Sequence, residues 1–281
     1  IPARQCMMSG QLPKTCNVTR YGQDLPPNYM TFARRLSQYS YETVVCGKLH
    51  HMGEDQYQGW TSRIGWDNGI GSSYITGRDD DAYNALISRG HLWWPWAKEV
   101  KRAGIGDSVH ARIDRYARDG ALMWIDEQFL SSYYDQANHD RPVMLKVSFR
   151  LPHYPYLTTQ ERFDYYLNRV QPFFEDCPSD NPLLNRGKVK LGEEITEREA
   201  RRATAAYYGM MEEVDEMFGQ VIDRLEFVGQ NLDDWIIVFT SDHGDMMGEK
   251  GNWMKYSYYE GSARVPLFIR YLKKFQPKRI T

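Results

Sequence analysis

Asp242-His243-Gly244-Asp245 sets a carboxylate beside an imidazole, with Gly244 permitting a tight backbone turn. Hard divalent cations favour oxygen ligands, so Asp242 suits one, and His243 offers a nitrogen. The same four residues also suit a solvent-facing turn closed by an Asx hydrogen bond. Gly47-Lys48-Leu49-His50-His51 carries cations suited to an anionic group, although an isolated histidine is more often a hydrogen-bonded structural residue. His153 lies between Pro152 and Pro155. That stiff setting suits a positioned acid or base, and equally a rigid turn. Lys255 follows Gly251-Asn252-Trp253-Met254, and Arg4 comes just after Pro2. Taken singly, each is a surface charge. Taken together, Arg4, Lys48, Lys255 and the histidines, with the Asp242–His243 pair, make an electropositive pocket that stabilises the anionic oxygens of a group in transfer. Sulfuryl or phosphoryl transfer is the reaction class that fits.

Such a grouping needs a scaffold that brings distant segments together. Three segments share one layout. Met30 to Tyr39 has a helical pattern and leads into the β-rich run Thr43-Val44-Val45-Cys46. A helix-like stretch around Ala121 to Tyr134 leads into Val143 to Phe149, which ends at Pro152-His153-Tyr154-Pro155. In the third, Thr196 and Glu199 form a capping box, and Ala203, Tyr207, Met210, Val214, Met217, Val221 and Leu225 recur at helical spacing. Gly229 stops that helix, and Trp235 to Thr240 reads as a fully buried strand running into Asp242-His243. Helix followed by buried strand, repeated, predicts a parallel sheet covered on both faces. Ligands bind such sheets beyond the carboxyl ends of the strands, where Lys48, His50, His153, Asp242 and His243 all fall.

Composition narrows the partners. The 281 residues carry 35 Lys plus Arg against 37 Asp plus Glu, a net charge of −2, which lacks the electrostatic footprint of a nucleic-acid binder. The apolar runs are far shorter than the ~20 residues of a membrane span. Four cysteines (Cys6, Cys16, Cys46, Cys177) without CxxC spacing argue against a disulfide-stapled scaffold and leave the compartment open. Aromatic residues make up 14%, including 20 Tyr and 8 Trp, more than a core alone needs. Trp60 to Asp81 reads as a long insertion over the ligand end of the sheet, and Phe174 to Glu194 as a surface excursion.

These motifs carry a family resemblance. Ser241 to Glu249, continuing through Asn252-Trp253-Met254-Lys255 to Tyr259-Glu260-Gly261-Ser262-Ala263-Arg264-Val265-Pro266, resembles the type I, formylglycine-dependent sulfatases of the alkaline phosphatase superfamily. The choline-sulfatase-like subgroup is the most similar. Gly47-Lys48-Leu49-His50 with Gly53-Glu54-Asp55-Gln56 resembles that subgroup's second block, and Pro152 to Tyr156 its third. Pro2-Ala3-Arg4 through Ser9-Gly10 resembles the tail of the signature C/S-x-P-x-R-x-x-x-x-T/S-G.

The resemblance implies an α/β fold: a mixed, mostly parallel sheet sandwiched by helices, alkaline phosphatase-like. Residues 1–281 are expected to be the central part of one sulfatase catalytic domain, with the N-terminal strand and the small C-terminal domain outside them. By the signature, the nucleophile falls on the position before Ile1 as a formylglycine made from Cys or Ser. The family's maturation partner is the formylglycine-generating enzyme.

Carried over, Asp242 and His243 bind a divalent cation, most often Ca2+, with Mg2+ or Mn2+ as alternatives. Arg4 and Lys48 stabilise the formylglycine, Lys255 and His153 hold sulfate oxygens, one of them protonating the leaving alkoxide, and His50 acts as base on the formylglycine hydrate. A gem-diol permits C–O cleavage in place of a second attack on sulfur.

The expected reaction is hydrolysis of a sulfate monoester. Lys48 and His50 favour sulfate, because the resembling phosphonate hydrolases tend to carry Tyr and Thr in that block. Choline sulfatase, a phosphonate or phosphate monoester hydrolase, and a non-catalytic binder of sulfated ligands are the alternatives. Gln56, Trp60 and Arg63 are expected to bind substrate, and Trp66, Trp93, Trp94 and Trp96 offer further stacking or cation-binding surface. The Arg63 and Asp67 insertion departs from a dedicated choline sulfatase and turns the expectation toward a carbohydrate sulfate. A sulfated polysaccharide substrate implies a periplasmic or secreted enzyme. Oligomeric state is left open.

Overall fold

The computed structural model describes residues 2–20, 22–65, 96–130, 141–173, 181, 184 and 188–279. Strand β1 (Glu42–Gly47) lies between β2 (Ser62–Ile64) and β4 (Val143–Ser148), both parallel to it; β3 (Gly104–Ile105) pairs separately with β5 (Leu157–Thr158). Register runs from Glu42 opposite Val143 to Gly47 opposite Ser148. Val44, Val45 and Cys46 are fully buried, as β-branched and small apolar residues of a central parallel strand should be.

Alternation along β1 and β4 feeds two cores. Val45 and Met144 face Met8, Leu25, Leu49 and Trp60, under α1 (Pro2–Ser9) and α2 (Phe32–Gln38). Val44, Cys46 and Leu145 face Ala121, Ile125, Val221 and Leu225, on the helices Val109–Leu130 and Glu197–Phe227. The sheet is thus covered on both faces, as predicted. Thr196 caps the long helix in the expected capping box: its side chain accepts from Glu199 N while the Glu199 carboxylate accepts from Thr196 N at 2.7 Å. Gly229 leaves the helix at φ +84°.

The structure corrects two expectations. The second helix does not start near Ala121 but at Val109, where the Ser108 hydroxyl accepts from Ala111 N at 3.0 Å. Arg112, Arg115 and Arg118 break up the apolar pattern of its first turns, and they pair with Asp107, Glu213 and Asp119. The strand read over Trp235–Thr240 spans Ile237–Thr240 (β6) and is not fully buried, Val238 being 55% exposed. After it the chain forms the short antiparallel pair β7 (Met246–Met247) and β8 (Trp253–Met254). It then returns as β9 (Leu267–Arg270), which pairs antiparallel with β6, and Phe239 packs on Phe218 from one side. An unbroken apolar run demands cover without specifying which element supplies it.

Close packing at the strand ends sets the geometry of the loops beyond them. Gly47 holds φ +91°, and a Cβ there would fall 2.3 Å from the Ser148 carbonyl oxygen, so only glycine lets β1 and β4 end side by side. Asp114, buried on the Val109–Leu130 helix, accepts from the backbone N–H of Arg150 and of Leu151 through one oxygen, both at 2.7 Å. That anchors the segment leading to His153.

Burial pushes the Asp114 carboxyl up to about 6 despite those donors. The folded state therefore holds the proton more tightly than the unfolded chain. This contribution to stability is full below the ordinary carboxylate pKa and is lost as pH rises through about 6. Asn keeps an acceptor for both N–H groups and carries no charge. Urea denaturation is expected to show wild type losing about 3 kcal/mol relative to Asp114→Asn between roughly pH 4 and pH 7. A pH-independent difference would contradict this.

Candidate active site

Arg4 sits in the first turns of α1 and is 6% exposed, so its guanidinium must find partners inside. Its Nε donates to Asp242 Oδ2 at 2.7 Å, and its Nη1 donates to the Lys48 carbonyl at 2.8 Å and to Ser148 Oγ at 3.1 Å. One side chain thereby ties together the chain at or just past the ends of β1, β4 and β6. Lys48 N in turn donates to the Ser148 carbonyl at 2.8 Å.

Asp242 Oδ1 is left on the far side of that ion pair, 3.6 Å from His243 Nε2. His243 Nδ1 lies 2.9 Å from the Gly244 carbonyl and so carries the proton, which leaves Nε2 with a bare lone pair. Gly244 allows the turn to press against Gly261, whose carbonyl oxygen a Cβ would meet at 2.1 Å. An anionic oxygen and an imidazole nitrogen therefore converge, a donor set that suits a hard divalent cation. Among the described residues no three His, Cys, Asp or Glu side chains cluster as a complete metal site.

The remaining predicted residues share one electrostatic environment. Lys48 is 6% exposed, and burial, then Arg4 and Lys255, push its ammonium down to about 7 against the pull of Asp242. Burial, Lys255 and Lys48 hold His153 well below the ordinary imidazole range. Its Nδ1 is 2.8 Å from the Tyr154 carbonyl, so the neutral ring presents Nε2 as an acceptor. His50 is pushed down to about 2, first by burial, and stands at φ +64°, a left-handed conformation rare for a residue with a side chain. Lys255 is lowered by burial in spite of Asp245 and Asp242. Lys255 bears on Lys48, His50, His153 and His243 alike, which places them about one pocket. The burial of Asp242 raises its carboxyl, but Arg4 and Lys48 outweigh this and hold it well below the carboxylate range.

The expected substrate-binding residues fare differently. Trp60 is 3% exposed, packed edge-on against Phe32 at 5.5 Å with Lys146 Nζ 5.8 Å from its ring, which leaves it no open face. Gln56 and Arg63 hold each other: Arg63 Nη1 donates to the Gln56 carbonyl at 2.6 Å and to its side-chain oxygen at 3.1 Å. Gln56 Nε2 donates to the His51 carbonyl at 3.2 Å, so the pair shapes the loop that carries Lys48 and His50. Trp66, Asp67, Trp93, Trp94 and Cys177 lie outside the described residues. Cys6, Cys16 and Cys46 are free thiols.

Three residues at the site carry no signal in the sequence. Ser148, Asp114 and His110 each lack a flanking motif, and only the fold brings them in. The His110 ring lies 5.3 Å from that of His153, with its Nδ1 buried and without a partner among the described residues.

A family model described as Sulfatase matches residues 1–281. The chain is 32% identical over 275 residues to a choline-sulfatase of Rhizobium meliloti, covering 95% of this chain and 52% of that protein. Among solved structures it resembles a phosphonate monoester hydrolase of Agrobacterium radiobacter, with TM-score 0.66 and 22% identity over 96% of this chain and 58% of the other. It also resembles a protein solved with its substrate D-glucosamine-2-N,6-O-disulfate, with TM-score 0.63 and 18% identity over 97% of this chain and 61% of the other. At such identities the two structures speak for the fold alone. The chain spans about half the length of the choline-sulfatase.

The Arg4–Asp242 pair is the joint most open to test. Arg4→Met strands a buried carboxylate and is expected to cost about 3–5 kcal/mol of stability, the range for removing one partner of a buried ion pair. Adding Asp242→Asn is expected to recover part of that loss in a double-mutant cycle by urea denaturation. Strict additivity would contradict the coupling.

Proposed function

The chain belongs to the sulfatase family, and on that premise we propose that its pocket binds and hydrolyses sulfate monoesters, with a carbohydrate as the leaving group. The observation that carries this reading is the shared environment of Lys48, His153 and Lys255 beside the Arg4-bound Asp242. These groups present positive charge and neutral imidazole where an ester's anionic oxygens collect.

Each residue has a part suited to its setting. Arg4 is committed to the three strand ends and fixes the floor of the pocket. Lys48 and Lys255, both lowered by burial and by neighbouring cations, gain by meeting an anion, so binding the sulfate group restores their charge. The same added negative charge raises the affinity of His153 Nε2 for a proton. With Nδ1–H held by the Tyr154 carbonyl, that proton is aimed from Nε2 toward the leaving oxygen, which makes His153 the general acid. His50, kept neutral, is the complementary base.

Asp242 Oδ1 and His243 Nε2 would supply two ligands of a divalent cation, Ca2+ by family analogy, whose chemistry there would be Lewis-acid polarisation of a sulfate oxygen. A formylglycine at the position before Ile1, installed by the formylglycine-generating enzyme, would contribute the nucleophilic oxygen.

The carbohydrate reading follows the Arg63 and Asp67 departure from a dedicated choline sulfatase; Lys48, Lys255 and Arg4 serve the sulfate group of either ester. Choline O-sulfate is the second reading, supported by the 32% identity to a choline-sulfatase. A polymeric sulfated substrate places the enzyme outside the cytoplasm. No described helix is long and apolar enough to cross a membrane.

In the full-length protein, His153→Ala and Lys255→Ala are each expected to lower kcat toward sulfate monoesters by about 10²–10³-fold, the range for losing one preorganised donor. Circular dichroism and the denaturation midpoint should stay near wild type. Wild-type turnover in either variant would remove that residue from the mechanism. A uniform preference for phosphate over sulfate monoesters would overturn the substrate class.

A further inference from the structure

His153, given to the departing oxygen, and Lys255, given to the sulfate group, are both attached to one group of aromatic rings. The Tyr154 ring stacks on that of His153 at 4.1 Å and 34°. The Tyr154 hydroxyl hydrogen-bonds that of Tyr256. Trp96 lies against Tyr256 at 4.7 Å and 31°, and edge-on to Tyr154 at 6.1 Å. Lys255 Nζ stands 6.0 Å from the centre of the Tyr256 ring. The rings therefore form a continuous wall from the imidazole to the ammonium. Trp96 and Tyr154 are half-buried behind it, while Tyr256 is 40% exposed. Tyr256 is thus the exposed member of the group, beside a half-buried Lys255.

Resting on the sulfatase reading above, we propose that Tyr256, held by Trp96 and Tyr154, is the platform on which the sugar ring of the leaving group stacks. The C–H face of a pyranose meets an aromatic face with apolar contact, and its hydroxyls stay free for polar partners at the edge. A quaternary ammonium would compete for the same ring by cation–π attraction. Turnover of choline O-sulfate against a sugar sulfate separates these two occupants. The tilted stack of Trp96 on Tyr256, with Trp96 edge-on to Tyr154, holds the platform beside His153.

The test uses the full-length protein, the best substrate from a panel of glucose and glucosamine sulfates, choline O-sulfate, and inorganic sulfate as a ring-free inhibitor. Tyr256→Ala is expected to raise KM for the sugar sulfate at least ten-fold, with Ki for inorganic sulfate unchanged within about two-fold. Tyr256→Phe, which keeps the ring, is expected to stay within about three-fold of wild type in KM. An unchanged KM in Tyr256→Ala overturns the platform. So does an equal rise in the sulfate Ki, which would mean that Tyr256 merely seats Lys255. A larger loss on choline O-sulfate than on the sugar sulfate overturns the substrate class. If wild type neither turns over any of these esters nor binds sulfate, the sulfatase reading itself fails. Turnover with an unmoved KM leaves that reading standing and removes the platform alone.

Discussion

Everything at this site depends on a buried guanidinium with three obligations. Arg4 joins the carboxylate of Asp242, the carbonyl of Lys48 and the hydroxyl of Ser148, so the chain at the ends of three different strands is held within the span of one side chain. Lysine has no planar fork and would not reach such partners together. The cost of burying this charge is offset only if all three partners are in place, which makes the arrangement cooperative. Gly47 is the steric counterpart: without its missing Cβ, β1 and β4 would not close far enough for Lys48 and Ser148 to share one partner.

That closure has an electrostatic consequence. Lys48 is buried and Lys255 half-buried near a fixed cation, so both ammonium groups sit below their ordinary range, and His50, His153 and His243 are neutral. The site is thus a set of groups under mutual repulsion that an anion relieves. Affinity for an oxyanion and readiness to accept a proton come from the same source. Two hydrogen bonds to local carbonyls, His153 to Tyr154 and His243 to Gly244, choose the tautomers and turn both Nε2 atoms away from the backbone.

Much of this was legible in the chain because local rules carried it. The capping box at Thr196, the helical repeat behind it and the apolar runs of β1 and β4 arise from short-range chemistry, and strand ends in a parallel sheet mark where a site forms. Lys48, His50, His153 and Asp242–His243 stood out as reactive types at those ends, and Arg4 and Lys255 as charges to set beside them. What escaped were properties decided by distant partners. Ser148, Asp114 and His110 are ordinary residues until the fold sets them against Arg4, Arg150 and His153. Trp60 resembled a binding surface by type, yet core packing around Phe32 claimed it. β6 was apolar enough to imply a buried strand, but its cover depends on elements that its own sequence does not encode.

The central claim is that this pocket serves sulfuryl transfer with a formylglycine beside it. The most direct measurement is peptide mass spectrometry of the full-length protein, produced with a formylglycine-generating enzyme, across the residue preceding Ile1. The account expects that residue as the aldehyde or its hydrate, in proportion to sulfatase activity across preparations. A preparation that is fully active with only unmodified Cys or Ser at that position would contradict it.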